Sequence, residues 1–314
     1  MILNRILLII FFLSSPVVAD EAGEVVKLEF AMEAGLEAHT KFIAEQVRVK
    51  NGEEQVHATM NAEGRFRIEG HPEGLVIIQN FDDVDFDADM GEHTDLMTKM
   101  VETASAVETR YIISNNGEIL GVEGLEPLIE ILQKTTESII DDFPEEVKSK
   151  LRNFQSQLIN KENFISKATE QWSGVVQQWL GAEFEKGFYY TIEYSEQVPA
   201  FGGVELGFNG TYEYLGKTHC NDTDTEQSCV ELLFQSTLLP DSAEQFTKAM
   251  VKQLNLQVPD GFVISADTNL LLVTEPDTLK PHYLEKVKTI TSLSDSADGM
   301  GQRIDRIVYV YSYN

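Results

Sequence analysis

The spacing of apolar residues changes twice along this chain, and that double switch constrains the fold more than any other feature. From Glu24 to about Gly124 apolar positions recur every second residue. Val26, Leu28, Phe30 and Met32 alternate with Lys27, Glu29, Ala31 and Glu33, the pattern of a strand with one buried face. From Leu125 to Leu180 the spacing turns helical. Leu125, Leu128, Ile129 and Leu132 form one stripe; Val147, Leu151, Phe154 and Leu158 form a second; Ile165, Ala168, Trp172, Val175, Val176 and Trp179 form a third. Alternation returns over 181–314, with Phe188, Tyr190, Ile192 and Tyr194 on one run and Leu206, Phe208, Tyr212 and Tyr214 on the next.

Turn chemistry sets the strand direction. Asn51-Gly52 and Asn116-Gly117 are the dipeptides best suited to tight type I′ hairpins. The short connections leave no room for crossover helices within either β block, so the pairing must be antiparallel. Glu92–Ala106 reads as a helix, as does Ser242–Leu256, where Ser242 and Gln245 have the spacing of a capping box. Pro144 opens the middle helix of the central block, where its missing N–H costs little. The reading is an α+β fold: a twisted, mostly antiparallel sheet or half-barrel with amphipathic helices packed on one face, as a single domain over 20–314. Two small sheets with the helices between them satisfy the same pattern and stand as the alternative.

Residues 1–19 read as a signal peptide. Arg5 precedes an apolar run from Ile6 to Leu13, Pro16 breaks it, and Val17 and Ala19 suit cleavage after Ala19. Such a run spans about 12 Å as a helix, well short of a ~30 Å bilayer core. The expectation is an exported protein, periplasmic or extracellular, with no transmembrane segment after signal cleavage.

Charge excludes one class of partner. Asp and Glu number 52 against 24 Lys and Arg, a net charge of −28. A field of that sign repels phosphate backbones, so nucleic acid is not an expected partner.

The only cysteines, Cys220 and Cys229, flank the polar stretch Asn221–Ser228. In an exported chain a pair across a hairpin loop forms a disulfide. A redox or metal pair with the adjacent His219 is the other reading, although the spacing matches no zinc or CxxC signature. Asp83, Asp85, Asp87 and Asp89 alternate with apolar residues and place four carboxylates on one strand face, neighbours about 7 Å apart. Ca²⁺ would relieve their repulsion; a solvated face screened by salt is the competing reading. No other cofactor is expected.

Catalytic signatures are missing from the sequence: there is no GxSxG, HExxH, P-loop or GxGxxG. Two functional classes follow. The leading one is a non-enzymatic binding or envelope protein that holds a lipid or other apolar ligand. Its candidate contacts are Trp172 and Trp179 on the third helical stripe with Tyr190 and Tyr212 on the strands, although such rings fill cores as readily as they line pockets. The alternative is a secreted hydrolase using paired carboxylates hidden among the many acidic residues.

The order of elements carries a resemblance. β-hairpins lead to the strand-turn-strand Ile112–Gly124, then to amphipathic helices and a Tyr-rich meander. This layout resembles uncharacterised exported bacterial proteins and, more loosely, the half-barrel lipoprotein carriers of the Gram-negative envelope. The resemblance implies a curved antiparallel sheet cupping helices around an apolar cavity, with a lipid or an envelope protein as partner. It transfers no functional residue, and this chain has no Cys at the cleavage site for lipid anchoring.

Overall fold

The computed structural model describes residues 23–50, 52–88, 94–105, 107–198, 203–221, 226, 228–254, 261–293 and 300–313. Residues 1–19, expected to be a signal peptide, and Asn51 and Asp89 lie outside the described residues.

Alternating segments of the two β blocks meet in one open antiparallel sheet. Its strands are β2 (Glu37–Lys50), β3 (Glu53–His71), β4 (Gly74–Ala88), β5 (Thr109–Ser114), β6 (Ile119–Glu123), β8 (Tyr189–Val198), β9 (Val204–Thr218), β10 (Cys229–Leu238), β11 (Val263–Thr274), β12 (Pro281–Leu293) and β13 (Met300–Tyr313). The spatial order is β6-β5-β4-β3-β2-β13-β12-β11-β10-β9-β8. The junction is β2 with β13, where Tyr309 lies opposite Phe42 and Ile307 opposite Ala44. That ladder corrects the alternative of two separate sheets: a strand from each block supplies the other's missing edge partner. The hairpins expected at the two Asn-Gly pairs join β2 to β3 and β5 to β6, with Gly52 and Gly117 at φ 81 and 84.

β3 runs 19 residues, about 60 Å at strand rise. β4 pairs along it with one bulge. Phe81 pairs with Gly64 but Asp83 with Glu63, leaving Asp82 unopposed. The extra residue switches the inward set from Leu75, Ile77, Gln79 and Phe81 to Val84, Phe86 and Ala88. Gly64 permits this approach, because a Cβ there would sit 2.0 Å from the Asn80 carbonyl oxygen.

One face of the sheet carries most of the core. Phe66, Ile68, Leu75, Ile77, Leu232, Leu272, Tyr309 and Tyr311 all belong to a single buried cluster. On the opposite face Ile78 is nevertheless fully buried. Its register neighbours Arg67 and Arg110 both bind Glu108, at 3.0 and 3.1 Å, so their aliphatic stems can roof it.

The helical block forms α2 (Leu125–Ile140), α3 (Glu145–Leu158) and α4 (Lys161–Trp172), and α4 widens into one π-turn, Ser173–Gln177. Pro144 is extended at φ −60 and ψ 144 and precedes α3 as its cap. Asn160 caps α4 by accepting the Asn163 N–H at 2.9 Å. Gly174 in the π-turn is buried so closely on the sheet that a Cβ would come within 2.9 Å of Leu270. Trp172 donates its indole N–H to the Gly117 carbonyl and Trp179 to the Gly174 carbonyl, each at 2.8 Å.

α1 (Thr94–Ser105) packs against β4 and α2, and α5 (Pro240–Leu254) against β9 and β11. α5 begins before Ser242, which corrects the capping-box expectation. The Ser242 hydroxyl instead accepts the Gly207 N–H of β9 at 2.8 Å, tying helix to sheet.

The first alternating run does not join the large sheet. Val25–Lys27 is β1, paired with β7 (Glu183–Glu185). The following residues cross the sheet's end as a strap. The Leu28 N–H donates to the Ala182 carbonyl at 2.9 Å, Glu29 to Pro276 at 2.8 Å and Gly35 to Ile68 at 2.7 Å. Leu28 is fully buried beneath it.

No described helix is long and apolar enough to cross a membrane.

Candidate functional site

A cavity of about 350 Å³ lies between the sheet at β2–β4 and helices α1 and α2. That is near the lower end of ligand-pocket sizes, ~300–1,000 Å³. Its walls include Phe42, Met60 and Phe81 from the sheet, Met100 and Ala104 from α1 and Leu128 from α2. Phe42, Met60 and Phe81 stand on the same strand face as Ala44, Ala58 and Ala62. A recess of about 20 Å³ beside Trp172 shares Gln79, Tyr111 and Gln171 with the cavity, and is large enough for one water.

Neither lining contains a charged residue among the described residues. Polarity is confined to a few groups at the junction. Gln171 donates its side-chain N–H to the Tyr309 hydroxyl at 2.9 Å. Burial pushes the Tyr111 phenol up to about 12 and raises the Tyr309 phenol well above its ordinary value, so both stay protonated and neutral. The Gln79 side-chain nitrogen is buried with no hydrogen-bond partner among the described residues, and the recess beside it has room for one water. The lining is mostly apolar, and its polar groups are hydroxyls and amides.

The residues singled out from the sequence are placed as follows. Trp179, Tyr212 and Tyr190 come together in one aromatic cluster with Phe184. Trp179 and Tyr212 have ring centroids 5.3 Å apart, and Phe184 and Tyr190 5.2 Å. Trp172 stands apart, edge-on to Phe30 at 6.2 Å, and borders the small recess. Asp83, Asp85 and Asp87 lie exposed on β4 and face away from the cavity. Cys220 and Cys229 form the expected disulfide, with Cα atoms 5.0 Å apart. A ring nitrogen of His282 lies within 4.8 Å of both sulfurs, but the disulfide leaves no thiolate to ligate a metal. His219 is engaged elsewhere, with Nδ1 3.2 Å from the Glu226 carbonyl.

Every carboxylate with a displaced pKa among the described residues is displaced downward: Glu29, Glu126, Glu130, Glu145 and Glu244 by lysine hydrogen bonds. At Glu275 burial pulls upward, and hydrogen bonds from His282, Lys280 and Thr278 outweigh it, bringing the carboxyl down to about 2. A general acid requires the opposite shift.

Sequence reasoning missed Gln79, Met60, Met100 and Ala104. The one signal available was a polar Gln79 closing the apolar run Leu75–Ile78 on an inward-facing position.

No family model matches the chain, and no curated protein matches its sequence. Among solved structures, one titled for lipid–protein interactions in lipovitellin aligns over 89% of this chain at 11% identity and a TM-score of 0.43. This chain spans 25% of that one. Two forms of OmpT, an outer membrane protein of Vibrio cholerae, align over 89% of this chain at 7% and 6% identity, each with a TM-score of 0.14.

Proposed function

We propose that this protein is an exported, non-enzymatic binding protein that holds an apolar ligand, such as a lipid chain, in an α+β half-barrel whose helices cover one face of the sheet. The observation that carries the reading is the uncharged cavity of about 350 Å³ between β2–β4 and α1–α2. Each methylene transferred there from water contributes ~0.8 kcal/mol. About ten of them supply ~8 kcal/mol, enough to offset much of the cost of immobilising a small ligand.

The test is native mass spectrometry of protein purified from its own host, followed by organic extraction and analysis of the extract. A co-purifying lipid or other apolar molecule is the expected result. Ligand-free protein that also fails to bind a neutral apolar fluorophore overturns the reading.

A further inference from the structure

The two ends of the large sheet are finished differently. β6 closes one end with the short run Ile119–Glu123, and its pairing with β5 is interrupted by a bulge between Ile112 and Ile113. α4 packs against it, burying Val122 with Leu125 and Ala168. β8 closes the other end with the ten residues Tyr189–Val198, paired to β9 along their whole length without a bulge. Among the described residues no strand lies beyond it. An edge strand leaves alternate backbone N–H and C=O groups without a ladder partner, and proteins usually blunt such edges with lysine, proline, a bulge or a covering element. β8 contains no lysine, no arginine and no proline. We propose that this edge receives an extended, basic segment of another protein as an added strand, the mode of recognition in which backbone pairing supplies affinity and alternate side chains supply specificity.

The two faces of β8 set the chemistry of that segment. Toward the helices it presents Tyr190, Ile192 and Tyr194, opposite Tyr212, Gly210 and Phe208 of β9. Tyr190 packs on Phe184 and Tyr194 stacks on Phe208, yet all three remain only partly buried. Apolar side chains on an incoming strand would complete this layer. On the outer face Tyr189, Thr191, Glu193 and Ser195 are exposed. Phe188 and Tyr189, where the strand begins, are 54% and 67% exposed. Charge is one-sided: β8 carries Glu193 and Glu196, and the stretch of β9 paired with it adds Glu205 and Glu213 and no cation. The matching segment therefore alternates apolar residues, laid beside Tyr190 and Tyr194, with lysine or arginine opposite Glu193.

A second copy of this chain fits the edge less well. A symmetric antiparallel register that pairs nearly all of β8 with itself brings Glu193 opposite or diagonal to its own counterpart, and like charges so placed destabilise a sheet. The net charge of −28 on each copy adds to the repulsion.

The test mixes the full mature chain with capped peptides matched to β8 in length, at physiological ionic strength, where exposed charges are screened beyond about 8 Å. One peptide alternates lysine with valine. Another has the same sequence N-methylated at two adjacent central residues, which blocks both of its edges without changing its charge. In the last, glutamate replaces lysine. The lysine peptide should bind and should slow amide hydrogen exchange along Tyr189–Val198 while leaving β6 unchanged. N-methylation should weaken it at least about tenfold through the lost ladder bonds, and the glutamate peptide should not bind. Glu193→Lys alters only an exposed position and should weaken the lysine peptide about tenfold while admitting the glutamate peptide. Equal binding of the N-methylated peptide, or protection that spares β8, overturns the proposal. So does slow exchange along β8 in peptide-free protein that native mass spectrometry shows to be dimeric, because a second copy then holds the edge.

Discussion

On β9–β11 the inner face is occupied by Tyr212, Tyr214, Leu232, Phe234 and Leu272, which close around Trp179 until it has no exposed surface. On β2–β4 the equivalent layer holds Ala44, Met60, Ala62 and Phe81, and a cavity remains beneath α1 and α2. The backbone architecture is the same in both places: long antiparallel strands with helix above. The difference lies in side-chain volume and in where the helix rests. Gly174 lets the π-turn settle directly on Leu270, whereas α1 packs against β4 and leaves open space beside it. One sheet therefore supports a filled core at one side and a chamber at the other.

Mutations at the two sides should respond in opposite ways. The largest effect is expected from Trp179→Ala, which removes a fully buried indole and orphans the Gly174 carbonyl it binds. Urea unfolding should show a loss of ~3–5 kcal/mol. Less than ~2 kcal/mol would mean that the filled side tolerates voids as the other does. Replacing Cys220 and Cys229 together with serine opens the β9–β10 loop and should cost ~2.5–3 kcal/mol by the chain-entropy account. Denaturation midpoints of oxidised and reduced parent protein provide the control.

Enlargement gives the sharper comparison. Ala243→Phe adds a ring where α5 is already packed on the sheet and should destabilise by ~1–3 kcal/mol. Ala104→Phe enters existing space and should change stability by under ~1 kcal/mol, while lowering affinity for the neutral apolar fluorophore at least about tenfold. If both substitutions cost the same, the cavity is not open space for a ligand.

The smallest expected effect is in acid. Glu275 lies in the β11–β12 turn that holds the strap, and its folded pKa of about 2 is below the ordinary 4.5. A depressed carboxylate contributes stability that is fully present above about pH 4.5 and is lost as pH falls toward 2. Glu275→Gln should flatten the dependence of the urea midpoint on pH across that window. An unchanged slope would assign the acid sensitivity to other groups.

Much of this architecture was legible in the residues. Asn-Gly pairs locate hairpins because they accept positive φ, and the helical stripes at Leu125–Leu132 and Ile165–Trp179 match α2, α4 and the π-turn. What local pattern does not carry is partnership over distance. Nothing in β2 or β13 alone indicates that residues 37–50 pair with residues 300–313, nor does β4 alone announce the bulge at Asp82. The chamber is harder still. A void is a relation between facing surfaces, and Met60 or Met100 in isolation reads as ordinary core. The conspicuous residues Trp172, Trp179, Tyr190 and Tyr212 drew attention by size, while Gln79 is inconspicuous until its missing partner is known.

The pairing of β2 with β13 also has a consequence for how the molecule is made. Arg306 binds Glu45 and Asp305 binds Gln46, contacts separated by 261 and 259 residues in the chain. A ribosome releases the early strands long before the late ones, at ~5–20 residues per second, so β2 waits on the order of ten seconds or more with an unpaired edge. Closing so large a loop is slow on entropic grounds. The β2 edge therefore stays without its partner until residues 300–313 have been made.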